Sequence, residues 1–404
     1  MTPTKIQKIF NICTFSFILI WLLLLFIEPS HFQLNVFFNK LGDFLGDYFN
    51  HIRYTAGKDP YFDLTNGSHE HIYLPLCYMI LYPQTLFIDF SSMSLQDCWN
   101  SPQALLSAGI FLLISIFFFL HSLYLLCQKY ACPRYILIII FFSSFNLFAM
   151  ERGNFILLTA ACINYFLYTL NNVRMKWIGI ICLALAAVFK VFPVAFSLYY
   201  LYKKEYKSFI YLAFTTAILV FLPFFFFKHS FIENLTQLLQ NIAAQTPIYG
   251  MSRNSEHFGI IPLFLQIVHT SDPTIHAITY TAGKYINYAI GFLTIFLFFK
   301  VQSPLLKFGL IAMICILFPQ QAAVYSGVYI FPLLIMLFSP TIKKEPYTWY
   351  GILTLFFITA LLPLQIGKAT FIINNVSLII IWLLLIIIAL SQIRATRIKD
   401  ISPK

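Results

Sequence analysis

The feature that most constrains this chain is the recurrence of long apolar segments nearly free of charge, from Ile9–Ile27 near its start to 371–392 near its end. A bilayer core is about 30 Å thick, so a helix needs about 20 apolar residues to cross it. Within that core only helices and closed barrels satisfy every backbone N–H and C=O. Applied along the chain, this length gives spans at 8–28, 104–127, 135–150, 154–171, 177–190, 191–202, 208–227, 282–300, 305–318, 325–339, 347–366 and 371–392. The pattern predicts an all-α integral membrane protein with about twelve transmembrane helices. Hydrophobic residues make up 60% of the chain and charged residues 10%, against about 25% charged in a soluble domain. A soluble globular enzyme is thereby excluded. Ile9–Ile27 lacks a small-residue cleavage site and reads as a retained first helix. No internal repeat or low-complexity linker divides the sequence, which is treated as one integral domain over 1–404.

Charge sets the expected topology. The termini and the short loops near 129–134, 174–176, 203–207, 300–307 and 343–344 hold most of the basic residues, from Lys5 and Lys8 to Arg394 and Arg397. Against them stand only Glu205, Glu345 and Asp400. The positive-inside rule makes this side cytoplasmic and puts both termini there. The net charge of +11 then describes topology and gives no reason to invoke nucleic acid. Two long connections, 28–103 and 228–281, fall on the opposite, outer side. The stretch Tyr73–Ile88 in the first is apolar but interrupted by Pro75 and Pro83, and reads as an interfacial or re-entrant helix. Cys77 and Cys98 share that loop, where an exported setting would permit them to pair. His69-Glu70-His71 has the alternation of a metal-ligand cluster, but in a Gly/Ser/Asn loop such a run is more often solvated.

The unusual polar residues gather on the outer side. Asp43 and Asp47 are one helical turn apart at the start of the first long loop, with His51 one turn further on. Ionisable groups beside a bilayer are costly and tend to be functional, and a carboxylate there can act as a general base towards a hydroxyl. The competing reading is an ordinary solvated amphipathic helix; on either reading half of the apolar side, Leu41, Phe44, Leu45, Tyr48 and Phe49, would contact the membrane. Lys190 lies between two short apolar segments with Pro193 close behind. Such a break is tolerated where backbone lines a cavity, and the lysine either holds a lipid phosphate or snorkels to the headgroups. Arg152, in Glu151-Arg152-Gly153-Asn154, and Arg253, in Ser252-Arg253-Asn254-Ser255-Glu256-His257, suit bidentate phosphate contact. Their plainer alternatives are headgroup contact or a local pair such as Glu151–Arg152.

These residues fall into four blocks that resemble the polyprenyl-phosphate-sugar-dependent glycosyltransferases of the GT-C superfamily, and among them glycosyltransferase family 87 (DUF2029). An acidic residue followed by Gly57-Lys58-Asp59-Pro60-Tyr61 is similar to that family's "D…GxxPY". Ile72-Tyr73-Leu74-Pro75-Leu76 is similar to its "YPPL", with Leu74 where a first proline is usual. Arg152-Gly153-Asn154, then Gly179 to Lys190 and Pro193, is similar to "GQxN…G…LKxxP", and departs from it at the Gly-Gln. Arg253-Asn254-Ser255 before Gly259 is similar to "NxS…G". The blocks cover residues 43–260, and the last third of the chain matches only in hydropathy.

The resemblance implies a GT-C-like helical bundle in the plasma (inner) membrane, with interfacial helices in the first outer loop and an extracytoplasmic active site. It implies an inverting transfer of a hexosyl or pentosyl unit from a polyprenyl-phosphate-sugar donor to a lipid-linked or envelope glycan acceptor. Asp43 or Asp47 would be the base; counting to Gly57 favours Asp43, and the Asp47–His51 run keeps Asp47 open. Lys190, Arg152 and Arg253 would surround the phosphate. His51, Tyr61, Asn154, Asn254, Ser255 and His257 would contact sugar or acceptor. Some relatives place a divalent cation near the aspartate, and the sequence displays no complete site for one. The rivals are a flippase or transporter of lipid-linked saccharide and an O-antigen-type polymerase. A transporter predicts internal repeats and charges along a whole path, whereas here the charges gather at one side.

Overall fold

The computed structural model describes residues 3–27, 44–62, 71–250, 257–268, 272–319, 322–341, 346–356 and 368–401. Their regular secondary structure is helical apart from one pair of two-residue strands. In chain order the helices are α1 (Pro3–Ile27), α2 (Gly46–Ala56), α3 (Pro75–Thr85), α4 (Leu95–Asn100), α5 (Pro102–Lys129), α6 (Ile136–Phe141), α7 (Ser144–Arg152), α8 (Ile156–Thr169) and α9 (Lys176–Phe189). Then come α10 (Leu198–Tyr202), α11 (Tyr206–Phe221), α12 (Phe231–Gly250), α13 (Ile260–Ile267), α14 (Pro273–Lys300), α15 (Pro304–Leu317), α16 (Phe331–Phe338), α17 (Pro346–Phe356) and α18 (Lys368–Ile401). Among the described residues four helical stretches are long and apolar enough to cross a membrane: Pro102–Lys129, Tyr206–Phe226, Thr274–Lys300 and Ile373–Ala395. Shorter apolar helices occupy Ile156–Thr169, Lys176–Phe189, Pro304–Leu317 and Val324–Phe338. The chain is a multi-pass membrane protein.

One expected span is interrupted, and one expected break is present. The stretch read as 135–150 splits into α6 and α7. Ser143 turns its hydroxyl to the Ile140 carbonyl at 2.6 Å and accepts the Asn146 N–H, offering the backbone a local alternative to a continuous helix. The break at Lys190 falls where the sequence places it. Here α9 ends at Phe189, Lys190 is extended, and a 3-10 turn runs over Phe192–Ser197 before α10. Pro193 accounts for it, since it lacks an N–H to bond the Phe189 carbonyl four residues before it and its ring would clash with that carbonyl in a continued helix.

The chain forms two compact units. One holds Met1–Val36, Leu126–Asn146 and Gly250–Lys404; the other holds Phe37–Leu125 and Leu147–Tyr249. In the first, α15 is apolar apart from Lys307 and buried along Leu305–Leu317 against α14, α18 and the 3-10 segment Val324–Ile330. Asn375 of α18 brackets Gly259, accepting its N–H at 3.0 Å and donating to its carbonyl at 3.1 Å. This holds β1 (His257–Phe258) where it pairs antiparallel with β2 (Ala322–Ala323).

The second unit contains the candidate site. There α9 packs closely on α8 and α11. Gly179 permits the first contact, because a Cβ would overlap the Thr169 hydroxyl. The outer residues of α11, among them Ile210, Phe214, Ile218 and Phe221, are exposed, as a lipid-facing helix requires. The first long loop returns to this body as α2, α3 and α4. With 11 residues, α3 rises about 16 Å, too short to span. It begins at Pro75, where a missing N–H is harmless, and leaves Met79, Ile80, Leu86 and Phe87 exposed at its outer side and end. The side of α2 expected to meet the membrane instead enters protein. Leu45, Tyr48, Phe49 and Ile52 are buried with Cys77, Leu81, Phe90, Cys98, Phe111 and Phe155. Burying large aromatic side chains in protein fixes the helix far more tightly than a fluid interface would. Cys77 and Cys98 belong to this cluster as free thiols, not as a disulfide.

Candidate active site

The site begins with a backbone contact. Leu45, in the left-handed region at φ 54°, donates its N–H to the Glu151 carbonyl at 2.7 Å. This joins the start of α2 to the turn that ends α7. Gly153 makes the approach possible. Its φ is +62°, and a Cβ there would lie 2.8 Å from the Tyr48 Cβ. Glycine alone meets both demands without strain. The residues on either side, Arg152 and Asn154, are thereby carried to the first turn of α2.

Asp47 lies in that first turn, where the helix dipole favours a negative charge. Arg152 donates to its Oδ1 from Nε at 3.2 Å and from Nη2 at 2.6 Å. Asn154 donates from Nδ2 to Oδ2 at 2.5 Å. The orientation of that amide follows from its other end, since Oδ1 accepts the Ile156 N–H at 3.0 Å in the first turn of α8. Burial on its own would raise the Asp47 pKa. The Arg152 charge and the hydrogen bonds from Arg152 and Asn154 outweigh it and hold the carboxyl below its ordinary 3.8. Asp47 is therefore ionised throughout the neutral range.

The same Asn154 amide donates to the Tyr73 hydroxyl at 2.9 Å. Lys190, at the break after α9, donates to that hydroxyl at 2.5 Å, and its Nζ lies 4.4 Å from the ring centre. The result is one connected network, Arg152–Asp47–Asn154–Tyr73–Lys190, drawn from α2, the α7–α8 turn, the strand-like entry to α3 and the end of α9. His51 borders it, with its ring centre 4.0 Å from that of Tyr73 in an edge-on contact. The imidazole is 6% exposed, and neither ring nitrogen has a hydrogen-bond partner among the described residues. Burial, and beyond it the Lys190, His71 and Arg152 charges, push the His51 pKa down to about 3 against the pull of Asp47. It is neutral at physiological pH.

Tyr61 supports the network from behind. It is fully buried, and its hydroxyl donates to the Tyr73 carbonyl at 3.0 Å. Asn241 of α12 ties the Tyr61 and His71 carbonyls together at 3.1 and 3.3 Å. His71 is buried and donates from Nδ1 to the Pro60 carbonyl at 2.5 Å.

Of the residues singled out from sequence, the structure brings together Asp47, His51, Arg152, Asn154 and Lys190, with Tyr61 behind them. Asp43, Arg253, Asn254 and Ser255 lie outside the described residues, as do His69 and Glu70. His257 is in β1, in the other unit. Sequence reasoning did not single out Tyr73 as a site residue. Its only signal was its place in the Ile72–Leu76 block; nothing local links it to partners 81 and 117 residues away.

The chemistry of the cluster follows from its charges. Two basic side chains are set against one carboxylate, an arrangement that suits an anionic ligand beside a proton acceptor. Asp47 itself is not free for a cation, since it already accepts three N–H groups, two from a cationic guanidinium.

No curated protein and no solved structure matches the chain. A family model does: that of Glycosyltransferase family 87 matches residues 81–319, well over half of the chain. The matched stretch includes Arg152, Asn154 and Lys190, while Asp47, His51 and Tyr73 precede it.

Proposed function

The chain belongs to glycosyltransferase family 87 and is a membrane glycosyltransferase, and on that premise we propose that it transfers a hexosyl or pentosyl unit from a polyprenyl-phosphate sugar to a lipid-linked or envelope glycan acceptor. The reaction inverts the anomeric centre and takes place on the extracytoplasmic side of the plasma membrane. The observation that carries this reading is the single network in which Asp47 shares Asn154 and Tyr73 with Lys190. That network would set a proton acceptor and a phosphate-binding cation a few side chains apart within one compact unit. The basic bias of the opposite loops supports the assignment of side.

In the proposed step an acceptor hydroxyl oxygen attacks the anomeric carbon. The bond from that carbon to the donor phosphate oxygen breaks, and its electron pair leaves with the polyprenyl phosphate. The hydroxyl proton passes to the Asp47 carboxylate. Held below its ordinary pKa, Asp47 is a weak base, which favours late proton transfer, once the new C–O bond has made the hydroxyl proton acidic. The larger share of the rate then comes from stabilising charge on the departing phosphate. Lys190, with Arg152 beside it, serves that purpose. His51 accepts or donates a hydrogen bond to a hydroxyl of sugar or acceptor, which would satisfy its buried imidazole.

The test is transfer from radiolabelled polyprenyl-phosphate sugars by purified protein in liposomes. Wild-type protein should transfer label. Asp47→Asn should reduce the rate by about 10²-fold or more, the scale of a general base, and Lys190→Ala should raise the donor KM. Full activity in Asp47→Asn would remove the carboxylate from the mechanism. Labelled lipid crossing the bilayer without transfer would favour a flippase instead.

A further inference from the structure

We propose that Tyr73 is a positioning residue of this reaction: its hydroxyl takes Lys190 and Asn154 on one oxygen and so fixes the phosphate-binding cation relative to the Asp47 carboxylate. The inference rests on the roles given above to Lys190 and Asp47. Three observations carry it.

The first is the hydroxyl itself. It accepts from the Lys190 ammonium at 2.5 Å and from the Asn154 amide at 2.9 Å. That amide nitrogen is also the donor to Asp47 Oδ2, so one phenol oxygen links the two ends of the site. A hydrogen bond from an ammonium is short and about twice as strong as one between neutral groups. The second observation is the ring. It has the His51 ring 4.0 Å away, the Phe155 ring 6.1 Å away and Lys190 Nζ 4.4 Å from its centre. The third is the backbone. The Tyr61 hydroxyl holds the Tyr73 carbonyl, and Leu74 is extended ahead of Pro75 at φ −66°, ψ 150°, as the residue before a proline prefers. Tyr73 is thus braced at backbone and ring and presents one oxygen to two donors.

Lysine alone would not achieve this. Its four-carbon stem is flexible, and an ammonium is a point charge without directional preference. A phosphate-binding lysine must be held against a rigid acceptor if its charge is to meet the leaving group in a fixed place. Tyr73→Phe keeps the ring and removes the hydroxyl that is this acceptor.

The first measurement needs no ligand. Full-length protein in detergent is treated with an amine-acylating reagent at one pH, and Lys190 labelling is read by peptide mass spectrometry. In Tyr73→Phe, Lys190 should be labelled several-fold faster. Lys203, whose ammonium is held by Leu170 and Asn171 at 3.1 and 2.5 Å, should be unchanged. An unaltered Lys190 rate, or an equal rise at Lys203, would overturn the proposal, the latter by reducing Tyr73 to general packing. The second measurement is a double-mutant cycle on binding of undecaprenyl phosphate. Tyr73→Phe should weaken binding about tenfold in the wild-type background and have no further effect in Lys190→Ala. Additive losses would show that Tyr73 does not act through Lys190. If wild-type protein does not bind undecaprenyl phosphate, the lipid-phosphate reading of the donor fails, and the labelling ratio still decides the role of Tyr73.

Discussion

Asp47 and His51 are one helical turn apart and both stand far from titration at neutral pH, for opposite reasons. Asp47 is charged because Arg152 and Asn154 outweigh its burial; His51 is neutral because burial outweighs Asp47. Neither group changes state between about pH 5 and 7, so kcat/KM should be flat across that range, and an inflection near the ordinary histidine value would contradict this assignment of charge. For stability the sign follows from a folded pKa below the unfolded one. The Asp47–Arg152 pair contributes fully above about pH 4 and loses its contribution as pH falls through the lower folded value. Melting curves of wild type and Asp47→Asn should therefore keep a constant separation at neutral pH and converge only in strong acid. The pair is mostly buried, with side-chain exposures of 18% and 16%. Removing Arg152 alone leaves a buried carboxylate and should cost about 3 kcal/mol. The double change Arg152→Gln with Asp47→Asn should cost less than the sum of the singles, which thermal unfolding in detergent can measure. His51→Phe separates packing from recognition. A ring that merely packs tolerates phenylalanine; one that bonds a substrate hydroxyl should lose about tenfold or more in kcat/KM at unchanged melting temperature.

At the scale of elements, the turn between α7 and α8 matters more than either helix. Gly153 lets it press against α2, and the same contact aims Arg152 and Asn154 at one carboxylate. Gly153→Ala would add a Cβ 2.8 Å from that of Tyr48 at a positive φ. The expected cost is about 1–3 kcal/mol. Transfer should fall further than stability, since displacing the turn by a few tenths of an ångström moves both partners of Asp47. A Gly153→Ala protein with wild-type melting temperature and activity would mean that the turn relaxes freely. The break at Lys190 is the second such device. Continuing α9 would carry the lysine around the helix; ending it at Phe189 leaves Lys190 extended, its N–H still on the Ala186 carbonyl at 3.0 Å, and within reach of Tyr73. This much was legible beforehand, because a lysine followed by Val-Phe-Pro in an apolar run announces its own break.

At the scale of the whole molecule, the charge distribution predicts an orientation. Single cysteines in a cysteine-free background should respond to a membrane-impermeant thiol reagent accordingly. A cysteine at Ser91, in the first long loop, should label in intact cells. One at Lys204, between α10 and α11, should label only after permeabilisation. Reversed labelling would place the site on the cytoplasmic side and remove the extracytoplasmic donor from the proposal.

The sequence by itself determined the helical membrane class, the positions of most helices, the interruption at Lys190 and the non-spanning character of the segment after Tyr73. Those features depend on hydrophobic length, on proline and on charge within a few residues, and such interactions are local. Tertiary structure decided which carboxylate Arg152 and Asn154 hold, across 105 and 107 residues. It also decided that the apolar side of α2 enters protein, and that Tyr73 joins the two halves of the site. An amphipathic helix offers the same face to a bilayer and to a protein core, and only the partners that pack against it distinguish the two. A tyrosine in an apolar loop likewise acquires a role only when two donors from distant helices converge on its oxygen.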